Sequence, residues 1–124
     1  RDMDPAEVIR QFTAAVKKLT HKGIKTTIRI LSKAPASVVP TGSRWIADSA
    51  EALHQVFHKK TVFIRGGGSI PIVGLFLSHL SIPSVMMGFG LPDDRLHSPN
   101  EKFHLPNFYR GIETVARFLM LLGK

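Results

Sequence analysis

Apolar positions recur at helical spacing from Val8 and Ile9 through Phe12 and Val16 to Leu19, which predicts an amphipathic helix over 4–20. Its punctuation agrees: Asp4 as N-cap, Pro5 as first helical residue, Glu7 three after the cap as a capping box, and Gly23 at the C-terminal turn. Over 25–31, "KTTIRIL", the period changes to two, with Ile28 and Ile30 on one side and Thr27 and Arg29 on the other, as in a half-buried strand. Residues 32–43, rich in Pro, Ser and Gly, read as a linker. A second helix follows over 43–58, with Ile46, Ala50, Leu53 and Phe57 on one face. "TVFI", 61–64, is a short strand ending at glycines, 69–80 returns to helix, and "SVMMGF", 84–89, is apolar enough for a strand covered on both faces. A polar loop over 90–101 leads to a last helix, 107–122, with Ile112, Val115, Leu119 and Leu122 inward and Glu113 four residues before Arg117.

After the linker the order is helix, strand, helix, strand, helix, which argues an α/β fold with a helix-covered parallel sheet. Before it stand one helix and one strand, too few elements to bury a core of their own. A domain boundary is therefore expected in the linker, dividing 1–34 from 35–124.

Composition narrows the classes. The apolar fraction of 44% suits a globular chain, and no apolar run reaches a membrane span. The first residues carry no signal-peptide core, and there is no cysteine, so disulfides and thiolate metal sites are excluded and a cytoplasmic setting is the expectation. The net charge of +8 invites anionic ligands, but the basic residues are scattered. Their one cluster, Lys17, Lys18, His21, Lys22 and Lys25, sits at a helix end without interleaved aromatics, so neither nucleic acid nor membrane is expected as a partner.

Two stretches carry chemistry. In "IRGGGSIPIVG", 64–74, glycines follow a strand and Ser69 precedes a helix. Such a loop lets backbone N–H groups approach an anion at a helix N-terminus, and Ser69 can cap the helix or donate to a ligand. It lacks the Gly-Lys-Ser/Thr of a nucleotide phosphate loop and the dinucleotide fingerprint. A tight strand-to-helix turn is the plain alternative. In "GFGLPDDRLHSPNEKF", 88–103, Asp93, Asp94, His97 and Glu101 are metal- or proton-competent groups in one loop. A loop histidine is ordinarily a solvated surface residue.

Together these stretches, with "GFGLPDDRLHSPNEKFHLPNFYRGIET" about twenty residues after "RGGGSIPIV", resemble the C-terminal part of the zinc aminoacylase, glutamate carboxypeptidase and carnosine dipeptidase group of metallopeptidases. The dipeptidase-like branch is the most similar. The Asp-Met-Asp-Pro before the first helix is similar to the segment that re-enters that group's lid domain. The resemblance implies a helix-covered sheet catalytic domain, here its C-terminal part, preceded by the end of a smaller α+β, ferredoxin-like lid domain through which a homodimer could form. It implies two zinc ions bridged by a carboxylate and a water, with His97 as the last metal ligand. Gly67, Gly68 and Ser69 would receive the carboxylate of a short peptide or acylated amino acid, and Arg1 would correspond to a lid arginine holding the same carboxylate. Asn100 and Glu101 would support the His97 loop rather than react.

Two departures qualify what is carried over. Relatives commonly have Glu where this chain has Gly66, which removes a carboxylate able to greet a free substrate amine and favours acyl-amino-acid or other amide substrates. The group's other ligands and its general base lie in N-terminal motifs that this chain does not contain, so it is expected to complete its site against the rest of its own catalytic domain and to be inactive alone. The alternative is a non-catalytic anion-binding module that has lost the metal centre. His54 and His58, four apart on a helix, could share a metal but lack the Glu-x-x-His frame. His21, His79 and His104 read as surface or structural residues, and Trp45 and Phe57 as core.

Overall fold

A computed structural model of the chain describes residues 3–66 and 70–124. It contains four helices: α1 (Pro5–Leu19), α2 (Arg44–Phe57), α3 (Pro71–Leu80) and α4 (Leu105–Leu122). All four were expected, and their ends follow local chemistry. The Asp4 side chain accepts the Ala6 N–H at 3.0 Å, and Pro5 occupies the first turn of α1. The capping box does not close, because Glu7 turns along the helix to accept from Arg10 at 2.6 and 2.7 Å and from Gln11 at 2.7 Å. Ser43 caps α2. Ile70 occupies the N-cap of α3, where the sequence reading puts Ser69, and brings no side-chain acceptor. Gly23 has a φ of +91° just beyond α1, in the left-handed region that glycine tolerates.

The strands read at 25–31, 61–64 and 84–89 do not form: helices are the only regular elements among the described residues. Alternation over 25–31 reports two unlike faces, and the apolar runs at 61–64 and 84–89 report a tendency toward burial. A strand also needs a hydrogen-bonded neighbour, and none of these segments has one. The expected helix-covered sheet is thus absent among the described residues.

The chain divides into two compact units, Arg1–Val39 with Gly67–Ser84, and Pro40–Gly66 with Val85–Lys124. In the first, Val73 of α3 is buried and Gly74 lies 3.5 Å, measured from an ideal Cβ, from the Ser37 side chain. The apolar stripe of α1 is largely open, with Val8, Phe12 and Leu19 exposed.

The second unit is built on α2 against α4. Arg44 at the start of α2 reaches the Leu121 carbonyl at the end of α4 (3.5 Å), while Arg110 lies 5.5 Å over the Phe57 ring at the opposite ends, so the helices run antiparallel. Arg117 ties their flanks by donating to Gln55 at 3.2 Å. The α2 face buries Ile46, Ser49, Ala52 and Val56. The α4 face buries Asn107, Gly111 and Thr114, not the Ile112, Val115 and Leu119 that periodicity selects, which are exposed. Small residues win this face because they admit the Phe89 ring, 3.3 Å from where a Gly111 Cβ would sit. Thr114 satisfies its hydroxyl internally, donating to the Arg110 carbonyl at 2.7 Å. Phe57, expected in the core, is half-buried and stacks on Phe89 with centroids 6.4 Å apart. Trp45 is a correction: it is exposed, with the Arg44 guanidinium 5.7 Å from its ring centroid.

Candidate functional site

The His97 loop springs from Phe89 and returns at α4. Its anchor is Asn107, in the first turn of α4, which donates to the Phe89 carbonyl at 3.0 Å. Within the loop, Asp94 is fully buried. Its carboxylate accepts the Leu91 N–H at 2.6 Å, and its own N–H donates to the Leu91 carbonyl at 3.1 Å. The Lys102 N–H donates to the Asp94 carbonyl at 3.1 Å, and the Lys102 ammonium stands 3.3 Å from the carboxylate. Lys102 also reaches Asp93 at 2.7 Å on the solvent side. That hydrogen bond, with the Asp93 backbone N–H and the lysine charge, holds the Asp93 carboxyl below the usual aspartate range. Lys102 is raised in turn, first by its hydrogen bond to Asp93.

Between these ties the chain makes a tight excursion. Arg95, His97 and Asn100 have φ of 56°, 62° and 60°, in the left-handed region that costs a residue with a Cβ about 1 kcal/mol. The Ser98 hydroxyl and N–H donate to the Arg95 carbonyl at 2.6 and 3.1 Å, closing the turn before Pro99. His97, Asn100 and Glu101 are all exposed on this excursion, with the imidazole presented to solvent. Three of the candidate residues are thus brought together in one loop. Gly67, Gly68, Ser69 and Arg1 lie outside the described residues.

Among the described residues no three His, Asp or Glu side chains gather as a metal site. A catalytic zinc takes about three protein ligands and an open position. His97 offers one, and Asp93 and Asp94 are engaged with Lys102, so these residues do not by themselves make up a zinc centre. His54 places Nδ1 3.1 Å from the Lys59 carbonyl, and His58 ends α2 in a left-handed conformation. Among the described residues no helix is long and apolar enough to cross a membrane. The buried roles of Asp94 and Asn107 escaped the sequence reading. Nothing in an Asp-Asp pair tells which carboxylate turns inward, and an Asn after Leu-Pro reads as ordinary helix-start chemistry.

Residues 4–121 match the Peptidase family M20/M25/M40, and the chain belongs to this family. It is 29% identical over 125 residues to a Cys-Gly metallodipeptidase of Candida albicans, covering 94% of this chain and 24% of that protein. With the Cys-Gly metallodipeptidase of Saccharomyces cerevisiae the identity is 32% over 126 residues, 95% of this chain and 25% of the other. A Beta-Ala-His dipeptidase of Rattus norvegicus shares 30% over 118 residues, 95% and 24%. The chain therefore spans about a quarter of the length of these curated relatives. No solved structure gives a significant match.

Proposed function

We propose that this chain is the C-terminal portion of a metallopeptidase that hydrolyses the amide bond of dipeptides or N-acyl amino acids with two zinc ions. The observation that carries this reading is the family match over 4–121, which takes in both the glycine loop and the His97 loop. In the intact protein His97 supplies one zinc ligand, supported by Asn100 and Glu101. Gly67, Gly68 and Ser69 hold the substrate carboxylate, with Arg1 as a further contact. The work of this chain is binding; the group that moves the proton and the other metal ligands lie in the rest of the protein. The catalytic domain would begin near residue 35, after the end of a lid domain through which two copies associate. The exposed apolar faces of α1 and α4 favour this, since each needs a covering element. The segments 25–31, 61–64 and 84–89 would become strands on gaining neighbours from the remainder of the protein.

The relatives' printed substrates, Cys-Gly and β-Ala-His, make dipeptides the first compounds to assay. Gly66 makes N-acyl amino acids the second, since no carboxylate is present there to bind an amine. The test is hydrolysis of Cys-Gly, β-Ala-His and N-acetyl amino acids by the full-length protein, with and without a chelator, beside His97→Ala. Chelator-sensitive turnover lost in His97→Ala is expected. Turnover indifferent to both overturns the reading. The net charge of +8 favours one second reading, an anion-binding module without catalysis. Carboxylate binding with no hydrolysis of any of the three substrate types would select it.

A further inference from the structure

Inside the Asn107 anchor, the 95–101 excursion of the His97 loop is closed at its base by Asp94. Asp94 is tied to Leu91 through both its carboxylate and its N–H, and to Lys102 through both its carbonyl and its carboxylate. Residues 95–101 form the excursion between those ties, and three of them hold left-handed backbone. Strained dihedrals persist only where the surroundings over-determine them. Ser98 closes one turn on the Arg95 carbonyl, but the side chains of the excursion are exposed and supply little of the constraint that holds its two ends together. The fully buried carboxylate supplies it, because a buried acceptor released from its donors is costly and the loop cannot open without releasing it.

We propose that Asp94 is the positioning residue for His97: by latching Leu91 to Lys102 it fixes the excursion in the one shape that presents the imidazole. This rests on the reading of His97 as a functional ligand. Asp94 itself touches no substrate. Asp93, adjacent in sequence and exposed, pairs with the same lysine without closing the loop.

The test uses the full-length protein with Asp94→Ala and Asp94→Asn, and reads two things: amide exchange along the loop beside α2 and α4, and kcat and KM for Cys-Gly. Asp94→Ala should speed exchange at Leu91 and Lys102 by about tenfold or more while leaving α2 and α4 nearly unchanged, because only the latch is cut. It should lower kcat by about tenfold with KM altered less than about threefold, because the substrate pocket is elsewhere in sequence. Asp94→Asn keeps an oxygen for the Leu91 N–H and should recover most of the protection and turnover. Unchanged loop exchange in Asp94→Ala overturns the proposal. So does exchange accelerated equally throughout α2 and α4, or an Asn variant that recovers nothing. His97→Ala, assayed in parallel, separates the two readings: turnover that survives it overturns the role of His97, whereas loop exchange alone judges the latch.

Discussion

The Asn107 amide, buried in the first turn of α4, donates to the Phe89 carbonyl at 3.0 Å and so joins the start of the His97 loop to the helix at its end. Removing the donor leaves that carbonyl to find another partner in a part-buried position. Asn107→Ala should therefore lower unfolding stability by about 1–2 kcal/mol, measured by urea titration of the full-length protein. Asn107→Asp, which replaces the donor by an acceptor facing a carbonyl, should cost more. Equal stability of Asn107→Asp and wild type would remove the bond from the account.

Gly111 tests the close approach of α4 to Phe89. A Cβ there would meet the ring at 3.3 Å, a contact the ring can relieve by shifting a few tenths of an ångström along its stack with Phe57. Alanine is also the better helix former by about 1 kcal/mol, so Gly111→Ala should come out near neutral. Gly111→Leu adds three further carbons with no room and should destabilise by about 1–3 kcal/mol. Thermal unfolding of the two variants reads the contrast, and a neutral Gly111→Leu would deny the approach.

Helices were legible in this chain because their signals are local. Asp4-Pro5 and Ser43 start α1 and α2 within a few residues of sequence, and Pro71 marks the first turn of α3. What failed was non-local. The buried face of α4 was read from Ile112, Val115 and Leu119, yet Asn107, Gly111 and Thr114 are the ones turned inward. Periodicity ranks faces by apolar content, whereas an aromatic ring from another segment selects a face with room for it. The segment 25–31 has a strand's alternation and 61–64 and 84–89 have apolar runs of strand length, yet all three lack partners among the described residues. In the candidate site, the motif singles out His97, whose role stands as a proposal, whereas the choice of Asp94 over Asp93 as the buried carboxylate depends on which way a turn folds.

The Asp93–Lys102 pair gives a pH signature. Asp93 is depressed chiefly by its hydrogen bond from Lys102, so its contribution is present above the ordinary aspartate value and is lost as pH falls through the lowered one. Lys102 is raised chiefly by Asp93, so its contribution is present below the ordinary lysine value and is lost as pH rises through the raised one. The pair thus works across the broad interval between them. Asp93→Asn should show a small stability deficit, flat through neutral pH, that closes at both the acid and alkaline ends. Both groups are exposed, so the deficit should also shrink in high salt. A deficit that persists below the aspartate range would assign it to something other than this ion pair.

The glycine loop gives the sharpest kinetic prediction. Among the described residues the first turn of α3 has no side-chain cap, because Ile70 has no acceptor to offer. Pro71 has no N–H and the Val73 N–H donates to the Ile70 carbonyl at 3.1 Å, so the Ile72 N–H and the partial positive charge of the helix end are what this turn offers an anion. If Ser69 donates to a substrate carboxylate, that charge-assisted hydrogen bond contributes about 1.5–3 kcal/mol. Ser69→Ala in the full-length protein should then weaken kcat/KM for a dipeptide with a free carboxylate by about ten- to a hundred-fold. The same dipeptide as its carboxamide should be nearly indifferent, having no charge to lose. Gly68→Val should impair both, since a branched side chain would block the approach of backbone to ligand. If His97 is a metal ligand as proposed, His97→Ala should abolish turnover of acid and amide alike, because the metal site and not the pocket is disturbed. Should Ser69→Ala affect acid and amide equally, the loop is a structural turn and the carboxylate site lies elsewhere.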